Sequence, residues 1–152
     1  MIDNKDKKIL NIIQSDAKTS NAAIGERIGL APSAVFERNR KLESKGTIKG
    51  YHAVLEPKSL GLNTLAFVFL KMRIGEGQAE IDRQIRLIRE VQEAYHIAGE
   101  DCYLIKIWAK DTDELGRLLL DKVHTIKGVI STRTTIVLQT VKQTTQLPLT
   151  GD

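Results

Sequence analysis

A chain of 152 residues, 41% hydrophobic and 28% charged, is long enough for one sizeable core or two small ones and too apolar for wholesale disorder. Its single cysteine, Cys102, excludes an intrachain disulfide framework and fits a reducing, cytoplasmic compartment. No window approaches the roughly 18 uncharged apolar residues of a membrane span, and Met1 to Asp6 lack the apolar run of a secretion signal.

The formal charge of +4 is unevenly placed. The first 60 residues hold eleven Lys and Arg against seven Asp and Glu, while the remainder holds twelve of each. All the excess positive charge therefore lies in the N-terminal part, as expected of a polyanion-facing module joined to a neutral one, though a solvated lysine-rich surface has the same composition.

Three helices are predicted first. Ile9, Leu10, Ile12 and Ile13 form an apolar stripe between Asp3, a candidate N-cap, and Asp16. The polar break 17–21 supplies a second cap. A short helix then carries Ala22, Ala23, Ile24 and Ile28, and Gly29 suits its left-handed C-terminus. Pro32 stands where the first position of a third helix should be, and that helix runs to about Ser44. From Thr47 the period changes: Ile48 to Leu55 is predicted as a strand and 56–61 as a linker.

The second segment opens with a strand over Leu65 to Ile74, where alternate residues share a face. Ile81, Ile85 and Ile88 step down one helix face. Val91–Ala98 and Cys102–Lys110 are strand-like runs joined by a tight turn at Gly99, Glu100 and Asp101. Asp111 and Glu114 have capping-box spacing before a helix bearing Leu115, Leu118, Leu119 and Val123, and Val129–Leu138 is rich in β-branched residues. The predicted class is therefore α+β. A three-helix winged helix-turn-helix module (1–60, including its linker strand) precedes a ferredoxin-like βαββαβ sandwich (61–152). With both helices on one sheet face, Phe67, Phe69 and Trp108 fall on the other, where a partner would cover them.

Two helices joined through Gly29, the second entered at Pro32, have the outline of a DNA-reading pair, an outline that simple packing hairpins share. The second helix packs through Val35 and Leu42, with Asn39 on the same stripe. At about 100° per residue its opposite face carries Ser33, Ala34, Glu37, Arg40 and Lys41, with Arg38 at the edge. These six are the candidate DNA contacts: Arg and Lys for phosphates, Ser33 or Arg38 for base edges. Ala34 and Glu37 are poor phosphate partners, so DNA shape should contribute to selectivity.

At this point the residues resemble a known family along nearly the whole chain. Asp6 to Leu10, Ser20-Asn21, Gly29 to Ser33, Arg38 to Leu42 and Gly46 to Tyr51 resemble the DNA-binding half of the Lrp/AsnC (leucine-responsive, feast/famine) regulators. Gly99 to Lys106, and Gly128 through Thr132-Arg133-Thr134 to Leu138, resemble that family's regulatory domain. The resemblance implies dimers joined through the C-terminal sheets and assembled further into octamers around which double-stranded DNA wraps. It also implies an amino-acid effector at the dimer–dimer junction, lined by Gly99, Glu100, Asp101, Thr132 and Thr134. A tight turn there exposes backbone N–H groups for a carboxylate, and an acidic side chain accepts from an ammonium. Three positions depart from the family pattern: Ala31 lacks the usual capping hydroxyl, Asn39 stands at an apolar place, and Cys102 replaces a common carboxylate. A plain hairpin turn remains the alternative reading of the loop.

Catalysis finds little support. Cys102 with His96 or His124 has no recognised enzyme signature, the three histidines are scattered, and no zinc spacing, phosphate loop or dinucleotide fingerprint is present. No cofactor or metal is expected. The rival classes are a metabolite-binding module whose helices only contact protein, and an enzyme built on the sandwich around Cys102.

Overall fold

The computed structural model describes residues 2–73 and 77–149. They divide into two compact units, residues 2–54 with 142–149, and residues 55–73 with 77–141. No helix among them is long and apolar enough to cross a membrane.

The helical unit contains α1 (Asn4–Ser15), α2 (Asn21–Ile28) and α3 (Pro32–Ser44). Each start has a local cause. The Asp3 side chain accepts the Asp6 backbone N–H at 2.8 Å, and the Asp6 carboxylate accepts the Asp3 N–H at 3.1 Å, a reciprocal cap. Ser20 caps α2 through the Ala23 N–H. Helix α3 begins at Ala31 without any side-chain cap and relies on Pro32, whose fixed φ suits the first turn. Gly29 ends α2 at φ +66°, a left-handed position. Ile9, Ile24, Ile28 and Val35 form the core, with Ile12, Ile13 and Leu30 packed around it.

The second unit contains β1 (Thr64–Met72), α4 (Gln78–Leu87), β2 (Val91–His96), β3 (Tyr103–Ala109), α5 (Thr112–Leu118) and β4 (Val129–Ile136). The sheet is antiparallel in the order β2-β3-β1-β4, the ferredoxin-like arrangement. Ala66, Val68, Leu70 and Met72 of β1 and Ile105, Ile107 and Ala109 of β3 meet Ile81, Ile85 and Ile88 at α4 and Leu115 and Leu118 of α5. Ile74, the expected end of the first strand, lies outside the described residues. Helix α5 closes in a π turn over Leu119–Val123, where the His124 N–H reaches the Leu119 carbonyl at 2.8 Å. That extra residue turns Val123 fully into the core. Asp111 caps α5 through the Glu114 N–H, but the Glu114 carboxylate turns one residue further back, to the Lys110 N–H.

One expectation is corrected. Ile48–Leu55 forms no strand: past α3, whose last turn closes by Thr47 N–H to Leu42 O, the segment has no ladder, and Tyr51, Val54 and Leu55 are exposed. A strand pattern needs a neighbouring edge, and the described residues of the helical unit offer none. The C-terminal residues 142–149 make their contacts with the helical unit. The Gln14 side chain accepts the Leu147 N–H at 2.7 Å and donates to the Leu147 carbonyl at 3.2 Å, and Asn11 donates to the Leu149 carbonyl.

The outer sheet face buries the charge of Lys106. Lys106 donates to Glu93 at 2.8 Å, and the Tyr95 hydroxyl donates to the other Glu93 oxygen at 2.7 Å. The Lys106 ammonium, and secondarily the Tyr95 hydroxyl, hold the Glu93 carboxyl below the ordinary carboxylate range. Breaking such a pair from its exposed side strands the buried ammonium, whereas an apolar replacement of the lysine removes the desolvation cost as well. Glu93→Ala should therefore destabilise by about 1–3 kcal/mol and Lys106→Met by less than about 1 kcal/mol. Urea denaturation measures both, and equal losses would refute the asymmetry.

Candidate nucleic-acid interface and effector loop

The turn between α2 and α3 is closed by backbone. Leu30 N–H donates to the Gly25 carbonyl at 3.0 Å, and a Cβ built on Gly25 would lie 2.4 Å from the Leu30 carbonyl oxygen. Only glycine permits that approach, which draws the start of α3 against α2. Periodicity and capping rules do not single out Gly25. Its one signal in the sequence is a glycine inside a short helix, costing about 1 kcal/mol relative to alanine unless a close contact requires it.

Helix α3 buries Val35 and Leu42. Asn39, on the same stripe, donates to the Asn21 side-chain oxygen at 3.0 Å, which explains a polar residue at an apolar place. The opposite face exposes Ser33, Glu37, Arg40 and Lys41, with Ala34 half-buried beside them. Arg40 and Lys41 form no ion pair among the described residues. Phe36, half exposed between Ser33 and Arg40 on the helix surface, is a further member of this face that the helical period did not nominate; an aromatic off the apolar stripe is its signal. With the N-terminus of α1, this face borders an open depression of about 760 Å³.

Arg38 makes tertiary contacts that the helical period does not announce. Its guanidinium points to α1, where Nη1 donates to Asp3 at 2.7 Å and to Asp6 at 2.6 Å. The Asp6 backbone N–H, followed by Arg38, holds the Asp3 carboxyl below its usual range; the Asp3 and Asp6 carboxylates raise Arg38 in turn. Through Nη1 the guanidinium is turned toward α1.

In the second unit the predicted effector residues fall on two sheet faces. The loop from Ile97 to Cys102 is closed by the Ile97 N–H and the Cys102 carbonyl, with Gly99 at φ +148° and Glu100 exposed. Asp101 accepts from Arg133 at 2.9 Å, and the Arg133 guanidinium lies 4.0 Å above the Phe69 ring. Arg133 is opposite Phe69 on the outer face. Thr132 and Thr134 pair with Leu70 and Val68, whose side chains enter the core, so these threonines lie on the helix side. Thr132 also meets His124 Nε2 at 2.9 Å. One chain thus brings Asp101 to Arg133, on the sheet face opposite to Thr132 and Thr134.

The residues weighed for catalysis have other neighbours. His96 stacks obliquely on Tyr103, His124 meets Thr132, and Cys102 is half-buried against the core.

Comparison with known proteins agrees with both units. The "Lrp/AsnC ligand binding domain" family matches residues 65–147, and the "winged helix-turn-helix DNA-binding" family matches residues 2–49. The chain is 38% identical over 148 residues, 97% of each chain, to the "HTH-type transcriptional regulator FL11" of Pyrococcus horikoshii. It is 34% identical to the "Leucine-responsive regulatory protein" of Escherichia coli K12, over 96% of this chain and 90% of that one. Among solved structures, a transcriptional regulator of Neisseria meningitidis in complex with L-Met superposes with a TM-score of 0.92 at 30% identity, covering 97% of both chains. Escherichia coli AsnC gives 0.90 at 30% identity, over 97% of this chain and 99% of that one. With matching patterns in both units, in order and over nearly the full length, this chain belongs to the Lrp/AsnC family of DNA-binding transcriptional regulators.

Proposed function

We propose that α3 enters the major groove of duplex DNA as one of a symmetric pair of recognition helices, in a homodimer that assembles further to an octamer. Ser33, Ala34 and Glu37 face base edges, Arg40 and Lys41 hold phosphates, and Arg38 is withdrawn from direct contact. The observation that carries this reading is the exposed Arg40–Lys41 edge, without an ion pair among the described residues, on the face of α3 turned away from Val35 and Leu42. The concentration of excess positive charge in the first 60 residues supports it. A DNA partner also implies a cytoplasmic site of action.

Removing one phosphate-binding side chain should reduce the slope of log affinity against log salt by about 0.9. Two helices per dimer double that change, so Arg40→Ala should flatten the slope by about 2 units and weaken all duplexes alike. Titration of duplex fragments at several salt concentrations reads this directly, and an unchanged slope would remove Arg40 from the phosphate contacts.

The effector reading is that an amino acid binds between copies, with Gly99, Glu100 and Asp101 supplied by one and Thr132 and Thr134 by another. The opposite sheet faces of the Asp101–Arg133 pair and of the two threonines support a shared site. The L-Met bound to the Neisseria relative supports an amino-acid ligand. Calorimetric titration with the standard amino acids, repeated on Thr134→Val, tests it; binding unaffected by that change would exclude Thr134 from the site.

A further inference from the structure

The outward edge of α3 carries a side chain that neither the phosphate set nor the base set uses. We propose that Arg38, Asp3 and Asp6 are positioning residues for DNA binding, a three-member clamp that fixes the recognition helix against the first turn of α1.

The clamp is built on the cap. Asp3 and Asp6 each have two carboxylate oxygens, and the reciprocal cap occupies one of each: Asp3 Oδ1 takes the Asp6 N–H, and Asp6 Oδ2 takes the Asp3 N–H. The remaining oxygens, Asp3 Oδ2 and Asp6 Oδ1, both receive Arg38 Nη1. Four hydrogen bonds thus join two carboxylates, two backbone amides and one guanidinium nitrogen. The cap orients the carboxylates whether or not Arg38 is present, so the arginine meets a prepared acceptor and little side-chain freedom is lost on the acid side. Arg38 stands 35 and 32 residues from its partners, so its ion pairs are tertiary and set where α3 lies on α1.

Placement matters because α3 is only thinly held by apolar contact. Val35 and Leu42 are its buried residues, roughly two turns apart, and the N-terminal cap has no side-chain hydrogen bond. Arg38 lies between those two anchors, at the edge of the stripe, where a polar tie restrains rotation of the helix about its own axis. A small rotation would move Ser33, Glu37 and Arg40 together relative to a groove.

Charge gives the clamp a test that separates it from direct contact. Removing negative charge beside a DNA-binding face strengthens binding if electrostatics alone act. A positioning role reverses that sign. Duplex affinity of the full chain should be measured between about 50 and 200 mM salt for Arg38→Ala, for the double variant Asp3→Asn with Asp6→Asn, and for the triple variant. Asparagine retains a side-chain cap acceptor, so α1 keeps its start. The expected result is a loss on the order of ten-fold for Arg38→Ala on specific and random duplexes alike, with an unchanged salt slope. The double variant should also bind more weakly, and the triple variant no more weakly than Arg38→Ala alone, the non-additivity of a shared network. A slope reduced by about 0.9 per Arg38 would instead make it a phosphate contact. Tighter binding by the double variant, or loss confined to one base-pair position, would equally overturn the proposal. Thermal unfolding of each variant checks the fold. Should Arg38→Ala melt the helical unit, Arg38→Lys is read by the same affinity and slope, with loss at unchanged slope expected and a wild-type affinity decisive against the clamp.

Discussion

Replacing Gly25 by alanine should abolish DNA binding by opening the turn between α2 and α3, at a stability cost of about 2–3 kcal/mol. The added Cβ would lie 2.4 Å from a backbone oxygen, that of Leu30, and no rotamer change relieves a clash between two main-chain positions. Relief requires the Leu30 carbonyl to retreat, which breaks the 3.0 Å bond from Leu30 N–H to the Gly25 carbonyl and shifts Pro32, the first residue of α3. Alanine's better helix propensity recovers at most about 1 kcal/mol. A unit with a core as small as Ile9, Ile24, Ile28 and Val35 has little stability in reserve. Circular dichroism melts and duplex titration on the same protein measure the two effects. A variant with wild-type melting and wild-type affinity would show that the turn has slack that the contact distance denies.

Ile105→Ala should be the more damaging change in the second unit, by about 3–4 kcal/mol within the range for truncating a buried isoleucine. Ile105 is fully buried on β3, the strand flanked by both β1 and β2, opposite Val68 on one side and Ala94 on the other. Truncation to alanine there leaves a cavity beneath α4 and α5, whose residues Ile81, Ile85 and Leu115 belong to the same cluster. The backbone ladder holds β3 on both edges, so the strand cannot shift inward to fill the space. Denaturant unfolding monitored at Trp108, on the same strand, reads the loss. A cost under about 1 kcal/mol would mean that the helices collapse onto the sheet freely.

Much of the architecture was legible because its causes are local. Asp3, Ser20 and Asp111 cap helices through groups three residues away, Gly29 takes the left-handed position, and Pro32 opens α3. The spacings of Ile81, Ile85 and Ile88, and of Val68 and Leu70, specify which faces are buried before any partner is chosen. The exposed face of α3 could be drawn from the helical period alone: Ser33, Glu37, Arg40 and Lys41 are exposed there, with Ala34 and Arg38 half-buried.

Other features depended on contacts between distant parts of the chain. Arg38 has the chemistry of a base reader, and its period puts it at the edge of the exposed face; its ion pairs with Asp3 and Asp6, 35 and 32 residues away in sequence, follow from no local pattern. Thr132, Arg133 and Thr134 are neighbours in sequence, yet strand alternation sends the threonines to one face and the arginine to the other. Residues 48–55 have a strand's composition without a strand's edge, and the tail found α1 through backbone groups that no side-chain pattern announces. Helix starts, core faces and most of the order of elements followed from the sequence, since caps and periodicity act within a few residues, and the family followed from the resemblance of motifs in both halves. Tertiary structure alone decided the partners of Arg38, Asp101 and residues 146–149 and the need for glycine at position 25, because those depend on which distant groups come within hydrogen-bond or van der Waals range.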